Sequence, residues 1–409
     1  MRTMVWILLL AACGEPTVEP ASWEGPEAPV SPPPEPVVEV VEGHPDRWYN
    51  DMLFDDSQLP HFEVELSAPA FASLQARPEV WVEGAFIYEG VVYEPVGVRC
   101  KGENSFLPID QKSSLKIDFN RYAPLEFMGF KGITLNNMSN DTSMMHERVA
   151  YKAFRDAGVP ASRVTHSTVT LNARGTSLYA LVEDVDEDMI AHWRDPSGTM
   201  FEIWDVDFLT SYVLDDNPDN GDFQFEFGNP DDRDQIYDLA VALQAPGEAG
   251  ITAAEAFIDY DQFILYWAVS SVVGQFDSYP YSSPGDDAHI YLDPDSGLFQ
   301  FLPHGVDEAF YDPRRDMEGV NGLLATKCKA VPDCRASYAA ATWDAFDDAV
   351  ENELVDYALI VKEQIRLLVE EDVAKNVVYS TGAVYAEQDD MLAFMRGRAS
   401  DIERDVGSR

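Results

Sequence analysis

Basic residues are scarce in this sequence. Its 409 residues include 28 Lys and Arg against 73 Asp and Glu, which gives a formal net charge of −45. Because nucleic acid is a polyanion and repels so acidic a protein, the composition argues against a nucleic-acid partner. The charge keeps a protein soluble in a salty medium, and it also suits the attraction of divalent cations or basic partners. The composition by itself is compatible with both explanations.

Cysteine and long apolar runs are also rare. Four cysteines are too few for a disulfide-dense scaffold. The apolar run at 4–10 is too short to cross a bilayer, which takes about 20 residues, and no later run reaches that length. Hydrophobic residues nevertheless make up 46% of the chain and aromatic residues 12%. These values are typical of a globular protein, so most of the chain is expected to bury a core.

The first 46 residues are predicted to export and tether the protein. Residues 1–12 contain one Arg, a short apolar run and small residues, as in a secretory signal peptide. The run LAAC at 10–13 resembles a bacterial lipobox, which implies cleavage before Cys13 and lipid on that residue. An ordinary signal peptide followed by a chance cysteine is the alternative. Residues 13–46 are rich in Pro and Glu and predict an extended spacer. The sequence therefore predicts an extracytoplasmic protein that is lipid-anchored to the cell envelope.

The order of the predicted elements indicates an α+β fold with two lobes. In residues 47–199, alternating apolar and polar residues predict several strands and one main helix. Residues 200–409 are predicted to be mainly helical, with an apolar, buried helix at about 261–274 and a strand pair at 288–303. A β-rich N-terminal lobe followed by a helical C-terminal lobe also fits a protein-kinase-like fold.

Short motifs carry a more specific resemblance. They are VRCKG (98–102) followed by Asn104 and Ser105, KSSLKIDF (112–119), LNN (135–137), AFRDAGVPA (153–161), YALVE (179–183), GQFDS (274–278) and PHGVD (303–307). Their order and spacing resemble the CotH kinase family, the spore-coat-protein-H type of atypical protein kinase. The resemblance implies a two-lobed atypical-kinase fold. It also implies transfer of the ATP γ-phosphate to Ser or Thr of a protein substrate.

The resemblance implies a Lys–Glu pair for ATP binding. Lys112 lies just before a predicted strand, and Glu147 lies near the beginning of the helix predicted at 143–157. In kinases such a pair positions the amine that binds the phosphates. Lys116, in the same strand, is the rival for this role. A solvated lysine at a strand edge and a favourable charge in a helix's first turn are the plainer alternatives for Lys112 and Glu147.

Further ATP contacts follow from the same resemblance. The turn from Gly102 to Ser105 could cover phosphates with its backbone N–H groups, although a plain hairpin turn has the same composition. Glu183 is placed at the hinge between the lobes, near the adenine. A carboxylate that merely ends a strand is the alternative for Glu183.

Three aspartates are assigned to catalysis and metal binding. Asp277 follows the apolar helix directly and is assigned as the catalytic base that orients the nucleophile. Asp307 is assigned to the metal, which is Mg²⁺ or Mn²⁺, with Ca²⁺ also compatible. The family usually has Asp at the position of Gly305, so one carboxylate is lost there. Asp287 stands where the family usually has Asn and is predicted to help Asp307.

The export signal creates a tension with this assignment, because ATP is scarce outside the cytoplasm and an acidic surface repels it. The alternative is a non-catalytic surface lipoprotein that uses the kinase-like fold for cation-dependent binding or envelope assembly. In either case the expected partner is a protein substrate or an envelope protein.

The three cysteines of the predicted lobes and one acidic segment also have predicted roles. Cys328 and Cys334 flank a short loop in an exported protein and are predicted to form a disulfide. Cys100 lies in a predicted strand and is expected to be a buried free thiol. The segment 215–222 has the spacing of the beginning of an EF-hand loop, but Pro218 interrupts it and a Glu at the twelfth position is missing. We interpret it as an acidic surface loop.

Overall fold

The structure is a computed structural model, and it describes residues 51–102, 105–213, 221–376 and 379–409. The predicted signal peptide, the spacer and Cys13 lie outside the described residues, as does most of the acidic segment 215–222. Within the described part of the chain, no helix is both long and apolar enough to cross a membrane.

Seven strands near the N-terminus close into a barrel. They are β1 (His61–Leu66), β2 (Val82–Tyr88), β3 (Val91–Lys101), β4 (Ser114–Asp118), β5 (Gly132–Asn136), β6 (Val164–Leu171) and β7 (Thr176–Glu183), in the order β1-β2-β3-β4-β5-β7-β6. Every second residue of β1 is buried, as expected for a strand with one face on a core. Phenylalanine rings at 62, 86, 119 and 127 fill the barrel, and burying each stabilises the fold by roughly 1.5–3 kcal/mol.

A second sheet lies in the C-terminal half. It is antiparallel, has the strand order β11-β10-β8-β9, and consists of β8 (Thr199–Trp204), β9 (Asp222–Phe227), β10 (Ala288–Leu292) and β11 (Phe299–Pro303). The predicted strand pair at 288–303 corresponds to β10 and β11. The sequence does not predict β8 and β9, so this half carries more sheet than expected.

The described α-helices lie between and after these strands in the chain. They are α1 (Ala68–Ala76), α2 (His146–Asp156), α3 (Glu187–Ile190), α4 (Thr210–Val213), α5 (Arg233–Ala242), α6 (Glu248–Ala254), α7 (Tyr260–Val273), α8 (Leu323–Lys329), α9 (Pro332–Ala345), α10 (Val355–Asn376) and α11 (Thr381–Asp405). A π-helical stretch, Phe346–Leu354, joins α9 to α10. The fold is therefore α+β, as predicted, with a β-barrel lobe and a predominantly helical lobe.

The apolar helix α7 forms the centre of the second core. The Asp259 carboxylate accepts a hydrogen bond from the N–H of Gln262 at 3.1 Å and caps its N-terminus. Gly274 ends the helix with a left-handed φ of 71°, a conformation that suits glycine. The chain that leaves this buried helix delivers Asp277, so the functional segment is held by a rigid element.

The predicted helix at 143–157 is α2, and it joins the two lobes. It follows a barrel strand in sequence, but its apolar side chains belong to the core around α7. Phe154 packs on Tyr266 of α7 with ring centroids 5.9 Å apart. Because Glu147 of α2 also accepts a hydrogen bond from Asn136 of β5, α2 contacts both lobes.

Two of the cysteines belong to the same core, since Cys328 is buried in it and Cys334 packs against it. The sulfur atoms of Cys328 in α8 and Cys334 in α9 are joined in a disulfide. Cys100 in β3 is a buried free thiol.

Candidate active site

A cleft of about 470 Å³ is lined by both lobes. The barrel contributes the ends of β3, β5 and β7, and the helical lobe contributes the second sheet and the segments that follow α7 and β11. Eight of the residues predicted from sequence line this cleft, namely Gly102, Ser105, Lys116, Glu147, Glu183, Asp277, Asp287 and Asp307. The fold therefore brings together residues that are up to 205 positions apart in sequence.

Lys112 does not line the cleft, which corrects the sequence assignment. Its side chain is 3% exposed, and its Nζ lies 2.7 Å from Oδ2 of Asp372 in α10. Its Nζ also lies 5.3 Å from the ring centroid of Tyr179. Burial lowers the pKa of Lys112, and the charge of Asp372 offsets part of this effect. An amine sealed between the barrel and α10 cannot reach phosphates in the cleft, so Lys112 joins elements of the fold.

Lys101, which the sequence analysis did not assign to the site, lines the cleft. It is the last residue of β3 and lines the cleft with Arg99 and Lys116. The charge of Lys101 acts to lower the pKa of both Glu147 and Asp307. The available signal was the alternation of Arg99 and Lys101, which puts both side chains on one face of β3.

Lys116, another cationic residue of the cleft, already has a carboxylate partner. Its Nζ lies 3.5 Å from Oδ2 of Asp184, and about a third of the side chain is exposed. Because such an exposed pair is weak, Lys116 remains available to an anionic ligand.

The turn after β3 is tight at Gly102. Its φ of 106° is a region that favours glycine, and an added Cβ would lie 2.8 Å from Oγ of Ser105. Asn137 and Ser139 both donate side-chain hydrogen bonds to the carbonyl of Ser105, at 3.1 and 2.7 Å. Residues 103 and 104 lie outside the described part of the chain. The described ends of this turn are held beside the cationic residues of the cleft.

Glu147 lies in the first turn of α2 at the rim of the barrel. Its Oε2 accepts a hydrogen bond from Nδ2 of Asn136 at 3.0 Å. Burial and the charge of Asp307 raise the pKa of Glu147 to about 8, although Lys101 acts in the opposite direction. The folded protein therefore favours the protonated form of Glu147 unless further positive charge enters the cleft.

Glu183 ends β7 at the boundary between the lobes. Its carboxylate is 2% exposed and forms a two-point ion pair with Arg163, with nitrogen–oxygen distances of 2.6 and 3.1 Å. A carboxylate that is already bound to Arg163 positions the chain at this boundary. The Glu183 side chain therefore binds Arg163 at the edge of the cleft.

Asp277, Asp287 and Asp307 form the acidic end of the cleft. Burial together with the charges of neighbouring carboxylates, including Asp277 and Asp307, raises the pKa of Asp287 well above its ordinary value. Burial and nearby carboxylates raise the pKa of Asp307 to about 6, while Lys101 acts to lower it. Asp277 is more exposed than the other two. Mutual repulsion of this kind is relieved by a bound cation.

Gly305 explains how the Asp287 carboxylate is accommodated. A Cβ at position 305 would lie only 2.2 Å from Oδ1 of Asp287, and Gly305 has a left-handed φ of 54°. The Gly305 carbonyl accepts a hydrogen bond from Nε2 of Gln275 at 2.8 Å. The space that a side chain at 305 would need is therefore occupied by the carboxylate of Asp287.

The donor groups present fit a divalent ion and a nucleotide. Carboxylate oxygens are the ligands that Mg²⁺ and Mn²⁺ take, and Mg²⁺ is usually held by one or two carboxylates plus substrate phosphates. Asp287 and Asp307 supply such oxygens, and Asp277 lies beside them. Lys101, Lys116 and Arg99 supply positive charge in the same cleft.

Residues 98–402 match a family model described as CotH kinase protein. The chain belongs to the CotH kinase family. All the cleft residues named above fall within the match, so the family relationship covers the site as well as the fold. The chain is accordingly a kinase-like protein.

One relative of known sequence is inner spore coat protein H of Bacillus subtilis (strain 168). It is 22% identical over 218 residues, which are 51% of this chain and 57% of that protein. The chain thus spans little more than half the length of this relative.

Two solved structures are similar over much of the chain. The proinflammatory kinase CtkA of Helicobacter pylori is 11% identical, with 72% of this chain and 92% of CtkA covered at a TM-score of 0.29. The HipA–HipB–operator DNA complex of Shewanella oneidensis MR-1 is 10% identical, with 84% of this chain and 82% of the matched chain covered at a TM-score of 0.31. Similarity at this level assigns no function to any particular residue of this chain.

Proposed function

We propose that this chain is an extracytoplasmic protein kinase that transfers the ATP γ-phosphate to Ser or Thr of exported or envelope proteins. The observation that carries the proposal is the convergence of Asp277, Asp287 and Asp307 with Lys101 in one cleft. Phosphoryl transfer asks a protein mainly for positioning and charge stabilisation, and this set of residues supplies both.

The cationic residues bind the nucleotide phosphates in this proposal. Lys101 and Lys116 lie beside the turn at Gly102, where a polyphosphate would meet positive charge. A divalent ion bound with the nucleotide adds positive charge, which favours the ionised form of Glu147, and the Glu147 carboxylate then interacts with Lys101. Lys101, rather than Lys112, is the amine that we assign to the phosphates.

The aspartates divide between metal and nucleophile. Asp287 and Asp307 would hold Mg²⁺ or Mn²⁺, with Ca²⁺ as a further candidate, and an ion bound there would supply positive charge to the phosphates. Asp277 is the exposed member of the set, so an incoming Ser or Thr hydroxyl can reach it. Asp277 orients that hydroxyl and accepts its proton.

A specific observation also favours the non-catalytic alternative. The cleft is lined by ten Asp and Glu residues against three Lys and Arg residues. Such an excess attracts a cation more readily than a polyanion such as ATP. In that alternative the family's fold serves cation-dependent binding or envelope assembly.

The proposal is tested with the purified full chain and two matched aspartate variants. Asp277→Asn should lower phosphate transfer from ATP by about 10²–10⁴-fold while leaving nucleotide binding nearly unchanged, because Asp277 acts on the hydroxyl. Asp307→Asn should abolish the stabilisation by Mg²⁺ or Mn²⁺ with ATP in a thermal-shift titration. Asp295→Asn, in the exposed β10–β11 turn, is the control and should change neither.

Two outcomes would count against this assignment. Nucleotide-dependent stabilisation that is the same in wild type and Asp307→Asn would remove the metal role of Asp307. Stabilisation by the divalent ion with no effect of ATP would favour the cation-dependent binding protein over the kinase.

A further inference from the structure

A second group of ligand atoms lies on the sheet side of the cleft. The carboxylate oxygens of Glu202 and Glu226 and a ring nitrogen of His289 lie within 4.8 Å of one another. Among the described residues, this is the one such group of three His, Cys, Asp or Glu side chains. It uses none of the aspartates assigned above.

The sheet register brings these residues together. His289 in β10 lies directly opposite Glu202 in β8, so both side chains are on the same face of the sheet. Glu226 lies at the register shift of β9, where Phe225 pairs with Phe201 and Phe227 with Met200. A bulge of this kind re-aims a side chain, and Glu226 lines the cleft with the other two.

His289 supplies the observation that points to a ligand. Its side chain is buried, with 3% of the residue exposed, and its Nδ1 has no hydrogen-bond partner among the described residues. A buried ring nitrogen without a partner is costly unless something binds the ring and fixes its tautomer. The ring nitrogen and two carboxylate oxygens lie within 4.8 Å of one another, as the ligands of one bound ion would.

His304 extends the group. Its Nε2 lies 3.5 Å from Oε1 of Glu202, and its ring is perpendicular to that of His289 with centroids 4.7 Å apart. Two imidazoles and two carboxylates thus meet at one wall of the cleft. Imidazole nitrogen with carboxylate oxygen suits Zn²⁺ and Mn²⁺, whereas Mg²⁺ and Ca²⁺ prefer oxygen ligands alone.

We propose that Glu202, Glu226 and His289 bind a transition-metal ion, with Zn²⁺ as the best fit, at a site separate from Asp287 and Asp307. His304 lies close enough to Glu202 to complete the coordination or to orient that carboxylate. An ion here ties β8, β9 and β10 together and offsets the excess of negative charge on this wall. This site does not depend on the proposed kinase activity.

The test measures Zn²⁺ binding to the chelator-treated full chain in excess Mg²⁺, which occupies the oxygen-only sites and the acidic surface. Equilibrium dialysis with elemental analysis should show one retained Zn²⁺ per chain. Glu226→Gln alters an exposed side chain and should fold normally, yet it should weaken Zn²⁺ binding at least tenfold, as should His289→Asn. His61→Gln, on the exposed face of β1, is the matched histidine control and should retain the ion.

Asp307→Asn separates the two sites. It should keep the Zn²⁺ while losing stabilisation by Mg²⁺. Visible absorption of Co²⁺ bound in place of Zn²⁺ should change in His289→Asn, because the spectrum reports the nitrogen ligand. The proposal is overturned if no Zn²⁺ is retained in excess Mg²⁺, if Glu226→Gln and His289→Asn bind it as wild type does, or if Asp307→Asn loses it.

Discussion

At the scale of single residues, the cleft contains carboxyl groups whose ionised forms are destabilised by burial and by one another. Burial and mutual repulsion raise the pKa of Glu147 to about 8 and that of Asp307 to about 6. The ordinary value for Glu is 4.5, so the folded chain binds a proton that the unfolded chain releases at neutral pH. This contribution of Glu147 to stability is complete below about pH 4.5 and is lost as the pH rises through about 8.

Glu147→Gln should isolate that contribution. The amide keeps the contact with Asn136 but cannot ionise, so the free energy of unfolding of the variant should rise relative to wild type as the pH increases. Between pH 5 and pH 8 the difference should change by about 1 kcal/mol or more, in chelator and without added metal. Urea unfolding at each pH measures it. A difference that stays constant across this range would show that Glu147 ionises normally in the fold.

Gly305 is the second residue with a specific prediction. Gly305→Ala should displace the Asp287 carboxylate, since the added Cβ would lie 2.2 Å from Oδ1. We expect a smaller rise in melting temperature on adding Mn²⁺. Gly297→Ala is the control, because Gly297 also has a positive φ, 70°, but nothing lies within 4 Å of the added Cβ. Both variants should lose about 1 kcal/mol to backbone strain, and equal Mn²⁺ responses would contradict the role of Gly305.

At the scale of elements, α10 is fastened to the barrel by a buried ion pair. Lys112 donates to Oδ2 of Asp372, and Oδ1 of Asp372 accepts a hydrogen bond from the N–H of Leu178 in β7 at 3.0 Å. One carboxylate thus joins the segment before β4, the strand β7 and the helix α10. The two charges lie 260 residues apart in the chain.

Removing one charge of this pair should lower the free energy of unfolding far more than replacing both charged side chains with neutral ones. Asp372→Asn leaves the Lys112 ammonium buried without its counter-charge and should cost about 3–5 kcal/mol of unfolding free energy. Lys112→Met with Asp372→Asn should recover most of that loss, because the amide oxygen can still accept from Leu178. Chemical unfolding measures both. The exposed pair of Lys152 and Asp156 is the control, and breaking it should cost at most about 1 kcal/mol.

The same double variant tests the assignment of the phosphate-binding amine. If Lys101 binds the phosphates, Lys112→Met with Asp372→Asn should bind nucleotide as wild type does, whereas Lys101→Met should not. The reverse result would restore Lys112 to the site.

At the scale of the whole molecule, the prediction concerns attachment. Cys13→Ser should move the protein from the membrane fraction to the soluble fraction, because the LAAC segment resembles a lipobox and stable anchoring takes more than one lipid chain. Fractionation followed by immunoblotting measures the change. N-terminal sequencing must show that the leader is still removed, and a correctly processed variant that stays in the membrane would contradict the lipid anchor.

Much of the fold follows from local patterns. Alternation predicts β1, the apolar run predicts α7, and Gly274 predicts where α7 ends, because side-chain period and glycine conformation act over a few residues. Local sequence patterns do not predict the strands β8 and β9, which contain Glu202 and Glu226. Their faces are defined only by pairing between distant segments: β8 pairs with β10, far later in the chain, and β9 pairs with β8.

The sequence by itself determined which chemical groups are available and in what order, so eight predicted residues line one cleft. Only the tertiary structure decided that Lys101 lines that cleft and Lys112 does not. Lys112 precedes its strand, and a side chain there can turn either way; α10 offers it a buried carboxylate, so it turns from the cleft. Lys101 ends β3 and lines the cleft. The partner of a charge is set by long-range packing, and no local pattern contains that information.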